Sequence, residues 1–161
     1  MNNTVKTALD ICNLALAKLG ERPISAIAQN GTPAQRFCYQ FYHTVRREVL
    51  CAKQWGFAMR TVTREYETSC DGVYGYSLPL DCLRVWQPSP SDCTLRGRAL
   101  FCSESKIELV YTTDVEDVEQ FEPRFIEAFA TRLASKLCLP LTFSVMMAGK
   151  LDNEYQNLKD A

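Results

Sequence analysis

The stretch Asp10-Ile-Cys-Asn-Leu-Ala-Leu-Ala-Lys-Leu-Gly-Glu-Arg-Pro-Ile24 reads as a helix buried early in the chain that stops on a defined signal. Leu9, Cys12, Leu16 and Leu19 follow helical spacing, and Val5, Ala8, Ile11 and Ala15 widen the same face. Polar residues are confined to a narrow stripe of Lys6, Asp10 and Asn13. The pattern predicts a helix from about Thr4 to Leu19. Gly20 is suited to the residue just past a helix end, and Pro23 cannot continue one.

Working outward, a second helix has a sharper start. Thr32 is a predicted N-cap, Pro33 suits the first helical position, and Gln35 completes a capping box. It runs to about Gln54, with Phe37, Phe41, Val45 and Ala52 on one face, flanked by Cys38, Tyr42 and Val49. The opposite side carries Arg36, Gln40, His43 and Arg47, with Arg46 and Lys53 nearby. Trp55-Gly-Phe-Ala58 then turns the chain. From about Arg60 to Thr112 the period shortens, and strand candidates fall at Thr61–Glu67, Tyr74–Leu78, Leu83–Gln87, Cys93–Leu95, Ala99–Cys102 and Ile107–Thr112. In the last, Ile107, Leu109 and Tyr111 alternate with Glu108, Val110 and Thr112, as in a half-buried antiparallel strand. Helices return at Pro123, with Phe125, Ile126, Phe129, Ala130, Leu133 and Leu137 inward and Pro140 as the expected stop. Thr142 is the expected cap of a last helix through Phe143, Met147, Leu151, Tyr155 and Leu158.

Amphipathic helices at both ends need one another to bury their faces. The expected fold is therefore α+β, mainly α: a bundle of N- and C-terminal helices with a small antiparallel β subdomain inserted. One domain is expected over 1–161, with helices in 1–58, the β insertion in 59–113 and helices in 114–161. The insertion is expected to be a small meander or a sandwich-like pair of sheets.

Apolar residues make up 47% of the 161 and charged ones 23%, the balance of an ordinary globular chain. No run approaches the roughly 18 apolar residues of a membrane span, so no membrane partner is expected. Met1-Asn-Asn-Thr-Val-Lys6 lacks the charged-then-apolar layout of a secretory leader. Eight cysteines, at 12, 38, 51, 70, 82, 93, 102 and 138, contain no C-x-x-C, and His43 is the sole histidine to complement them. A disulfide scaffold is normally short and cysteine-dense, and a zinc site wants paired ligands. The cysteines are expected to be reduced, small apolar core residues, and neither a metal nor a cofactor is expected.

Charge is uneven beneath a net −1: +5 over residues 1–60, −7 over 61–122 and +1 over 123–161. Arg36, His43, Arg46, Arg47 and Lys53 form a basic candidate surface for a partner subunit or a phosphate backbone. Without interleaved exposed aromatics it lacks the character of a single-strand binder. Asp114, Glu116, Asp117, Glu119 and Glu122 form an acidic run, a candidate lumen or subunit surface. Carboxylates that hold a metal or cleave a glycosidic bond converge from rigid elements, whereas these are strung along one segment. Met146, Met147 and Tyr155 are candidates for partner contact from the last helix. A Cys–His nucleophile would have to use His43, which falls on the polar side of its helix. Phosphate-cradling glycine loops are absent. No catalytic residue is expected.

Taken in order, Leu14-Ala-Leu-Ala-Lys-Leu-Gly-Glu-Arg-Pro-Ile24, Trp55-Gly-Phe-Ala58, Tyr76-x-Leu-Pro-x-Asp-Cys-Leu-Arg-Val85, Ile107-x-Leu-x-Tyr111 and Phe125 through Leu-Pro-Leu-Thr142 resemble the head-to-tail adaptor proteins of tailed bacteriophages. The nearest likeness is to the tail tubular protein A group of short-tailed phages, and it spans nearly the whole chain. The resemblance implies a helical bundle with a β insertion, assembled as a ring, typically of twelve copies. Such a ring sits beneath the portal protein at the head–tail junction of the virion, assembled in the host cytoplasm. It extends the DNA channel toward the tail and nozzle proteins, and DNA passes through without sequence-specific binding. The resemblance implies no enzyme and no catalytic residues. Its conspicuous positions, Gly20, Pro23, Trp55, Phe57, Pro79 and Asp81, read as turn, packing and capping residues. Other readings remain open: a head-completion, stopper or tail component, a small nucleic-acid-binding protein, or a thiol-dependent cytosolic protein.

Overall fold

A computed structural model of the chain describes residues 5–89 and 92–161. The fold is α+β, 47% helical and 24% strand. Two compact units divide the chain: residues 1–53 with 115–161, and residues 54–114. The expected boundaries at 58/59 and 113/114 thus shift slightly, and Trp55-Gly-Phe-Ala58 belongs with the strands.

In the helical unit, α1 spans Ala8–Lys18 and α2 spans Pro33–Ala52. The expected start of α1 at Thr4 lies outside the described residues. Thr7 is the N-cap, forming a reciprocal box with Asp10: the Asp10 N–H donates to Thr7 Oγ1 (3.2 Å), and the Thr7 N–H to Asp10 Oδ2 (2.9 Å). The Lys6 N–H also donates to that carboxylate. These bonds, led by the one from Lys6, hold the Asp10 carboxyl below its ordinary pKa. At the other end Gly20, at φ +72°, donates to the Ala17 carbonyl, while Glu21 donates to that of Leu16. This is the Schellman stop expected of the opening stretch. Asn13 accepts from the Ile24 N–H (2.8 Å) and donates to its carbonyl (3.1 Å), pinning the returning strand of chain beside the helix. The start of α2 matches expectation: Thr32 and Gln35 cap each other reciprocally and Pro33 opens the helix.

α3 spans Pro123–Thr142, and its long run of buried residues packs against α1, α2 and α4. Phe125, Ala128, Phe129, Leu133, Ala134, Leu137 and Cys138 are fully buried. Phe121 meets Phe125 and Phe129 edge-on, Phe125 and Phe129 are tilted against each other, and Tyr42 of α2 joins them at 5.1 Å from Phe129. Pro140 does not stop α3. The carbonyl it leaves unbonded is that of Lys136, an exposed position where water can take the bond, and the helix ends two residues later. α4 spans Val145–Asp160 and is capped by Ser144, whose hydroxyl accepts from the Met147 N–H. Thr142, the expected cap, instead donates to the Cys138 carbonyl and accepts from the Ser144 N–H. Arg132 on α3 ties this unit together: it bonds Glu48 of α2 and Asp152 of α4, with its guanidinium over the Tyr155 ring.

Among its described residues the second unit holds seven strands: β1 Met59–Glu65, β2 Thr68–Cys70, β3 Val73–Ser77, β4 Cys82–Ser89, β5 Thr94–Arg96, β6 Ala99–Cys102 and β7 Lys106–Thr113. They form two antiparallel sheets, of order β1-β7-β4 and β2-β3-β6-β5. Tyr76, Leu100 and Cys102 from one sheet share a core with Cys82, Ile107, Leu109 and Tyr111 from the other, so the insertion is sandwich-like. The alternation read in β7 holds for Ile107, Leu109 and Tyr111. Thr112 departs from it and is also buried, because β7 is the central strand of its sheet and Trp86 of β4 donates to the Thr112 hydroxyl.

Candidate interaction surfaces

The α2 stripe survives only in part. Arg36, His43 and Arg47 are exposed, and Lys53 is half-buried, its ammonium donating to the Ala161 carbonyl (2.7 Å). Arg46 does not belong to that surface. Its side chain is 0% exposed; Nη1 donates to the Val115 carbonyl (2.5 Å) and Nη2 lies 3.6 Å from Glu116. The cause is helical spacing: Cys38, Tyr42 and Arg46 recur every fourth residue and continue the buried stripe with Val45 and Val49. A long aliphatic stem lets an arginine cross apolar surroundings to reach such a carbonyl.

The acidic run is built differently from a solvated loop. Glu116, Asp117 and Glu119 are exposed and Asp114 and Glu122 half-buried, but Val115, Val118 and Phe121 between them are buried. Those apolar residues at three-residue intervals fasten the run to the helical unit and hold its carboxylates outward. Asp117 caps a short 3-10 turn at Val118–Gln120 by accepting from the Glu119 N–H. The anchoring spacing was present in the sequence, masked there by the density of charge.

Of the three residues expected to offer contact from the last helix, Met146 is exposed, Met147 is half-buried and Tyr155 is buried. Tyr155 is a core residue: Arg132 covers its ring, and burial pushes its phenol up to about 12. The exposed neighbours of Met146 were not anticipated. Leu139, Phe143 and Val145 join it at the corner between α3 and α4.

The cysteines also need correction. Cys93 and Cys102 form a disulfide, and Cys70 is exposed; among the free thiols Cys12, Cys38, Cys82 and Cys138 are buried as expected. The pairing of Thr94 with Phe101 places residue 93 opposite residue 102 across β5 and β6, a juxtaposition that linear spacing does not reveal. The neighbouring Cys38 thiol of α2, together with burial, pushes the Cys12 thiol of α1 up. The ring of His43 packs edge-on to that of Tyr42 at 5.1 Å.

The motif residues sit at joints of the structure. Trp55 is buried. The Pro79 carbonyl accepts from the Cys82 N–H and from Arg98 Nη2 (2.6 Å), and Asp81 accepts from Thr113 Oγ1 (2.5 Å) and the Tyr111 hydroxyl (3.4 Å). Among the described residues no three His, Cys, Asp or Glu side chains gather to hold a metal ion, and no helix is long and apolar enough to cross a membrane. No family model matches the chain, and no curated protein matches it.

Proposed function

We propose that this protein is a non-enzymatic head-to-tail adaptor of a tailed phage, which forms a ring beneath the portal and extends the DNA channel toward the tail. The observation that carries the reading is the placement of the ordered motifs: Gly20 at the left-handed end of α1, Trp55 buried at the entry to the β unit, and Pro79 and Asp81 bracing the turn into β4. Turn, packing and capping positions for these residues support the resemblance in order and spacing.

Electron microscopy of the purified protein, alone and with the portal protein of the same phage, tests the reading. Rings, or added density capping the portal, are expected. A portal that stays bare in the presence of excess protein refutes the adaptor role.

A further inference from the structure

We infer that the α3–α4 corner is the surface by which one copy docks on the acidic segment of the next. The corner exposes Leu139 by 48%, Phe143 by 85%, Val145 by 75% and Met146 by 74%. Together these present roughly 500 Å² of surface, toward the upper end of the ~300–600 Å² of the largest apolar patch on a typical monomer, a patch that is often functional. Phe143 adopts φ +59°, a left-handed conformation that a bulky residue rarely takes. That conformation ends α3 and leaves a phenyl ring standing in solvent at the tip of the corner, the form of an interface anchor. The area is a large part of the ~800 Å² per partner of a stable complex.

Charge selects the occupant. Lys136 precedes Leu139 by one helical turn and Lys150 follows Met146 by one, both exposed, and residues 136–150 contain no acid. Residues 115–122 carry four carboxylates and no base, with Glu116, Asp117 and Glu119 exposed. Both surfaces belong to the same helical unit, so every copy carries one of each sign. Corner against corner would set lysine rim against lysine rim. Corner against acidic segment brings opposite charges together and is a head-to-tail contact, the kind that propagates into a ring. The geometry of propagation rests on the ring reading above; the pairing of the two surfaces does not.

The test uses the full chain and three variants: Phe143→Asn with Met146→Gln, Lys136→Glu with Lys150→Glu, and Asp117→Ser with Glu119→Lys. Asn tolerates the left-handed cap and Ser retains a capping oxygen, so each fold is preserved and is checked by circular dichroism. Mass photometry and sedimentation, at low salt and at about 1 M salt, read assembly. Each variant alone is expected to weaken self-association at least tenfold. An equimolar mixture of the Phe143 variant with the Glu119 variant restores a single contact and gives dimers that do not grow. A corner variant that assembles like the wild type overturns this inference and leaves the ring reading intact. Assembly that depends on the corner but never closes into rings, even on the portal, supports the pairing and overturns the ring. A wild-type chain that stays monomeric in solution and leaves the portal bare overturns both.

Discussion

Arg46 gives the sharpest energetic test. Its guanidinium is buried and donates to the Val115 carbonyl, fixing the start of the acidic segment against α2. Truncation to Ala removes a charge-assisted hydrogen bond to a buried carbonyl, a loss of about 1.5–3 kcal/mol. It also removes two buried methylenes, Cγ and Cδ, at about 0.8 kcal/mol each. Arg46→Ala is therefore expected to destabilise the helical unit by roughly 3–5 kcal/mol, in line with the loss on breaking a buried charged contact. Arg46→Met keeps the stem and most of the packing, so its cost is expected to be no more than about 2 kcal/mol, since buried ionic groups are often replaceable by apolar ones of similar volume. Urea unfolding followed by helical ellipticity at equal protein concentration measures both. Equal midpoints for Arg46→Ala and wild type, or a larger loss for Met than for Ala, would refute the assignment of Arg46 to the core. One consequence concerns assembly: Arg46→Glu places a carboxylate in the core beside Glu116, so it perturbs folding and is unsuited as a probe of ring contacts.

Gly20→Ala meets no neighbouring atom, so its whole effect is the left-handed backbone; a loss of about 1–2 kcal/mol is expected by chemical denaturation, and Gly20→Asn is expected to lose less. Reducing the Cys93–Cys102 disulfide reopens a short loop and is expected to destabilise the β unit by about 2–3 kcal/mol; thiol titration of the denatured, unreduced protein then counts six thiols. The Asp10 carboxyl has its pKa lowered by the cap bonds, so its contribution is present above about pH 4 and fades as pH falls through the lowered value. Wild type is accordingly expected to be more stable than Asp10→Asn at neutral pH, with the gap closing in acid, as pH-dependent urea midpoints will show.

Local chemistry explains which parts of the fold were readable in advance. A helix stop at Gly20, a capping box at Thr32 and Gln35 and a two-residue period in β7 are short-range devices, each contained within a few residues. From these the chain's own order of letters determined four helices, a β insertion between the second and third, and a bundle made from the two ends. The errors arose where a local rule met a longer-range circumstance. Pro140 remains in α3 because Lys136 faces water, and Thr142 yields the cap of α4 to Ser144. Only the tertiary structure could decide that Arg46 is buried, that Cys93 lies opposite Cys102, and that Val115, Val118 and Phe121 hold the acidic run outward. The exposed corner of Leu139, Phe143, Val145 and Met146 belongs with them: in sequence it is an apolar run like any core segment. Whether an apolar residue is covered, or a charged one reaches a carbonyl, depends on elements distant along the chain, and periodicity carries no record of those neighbours.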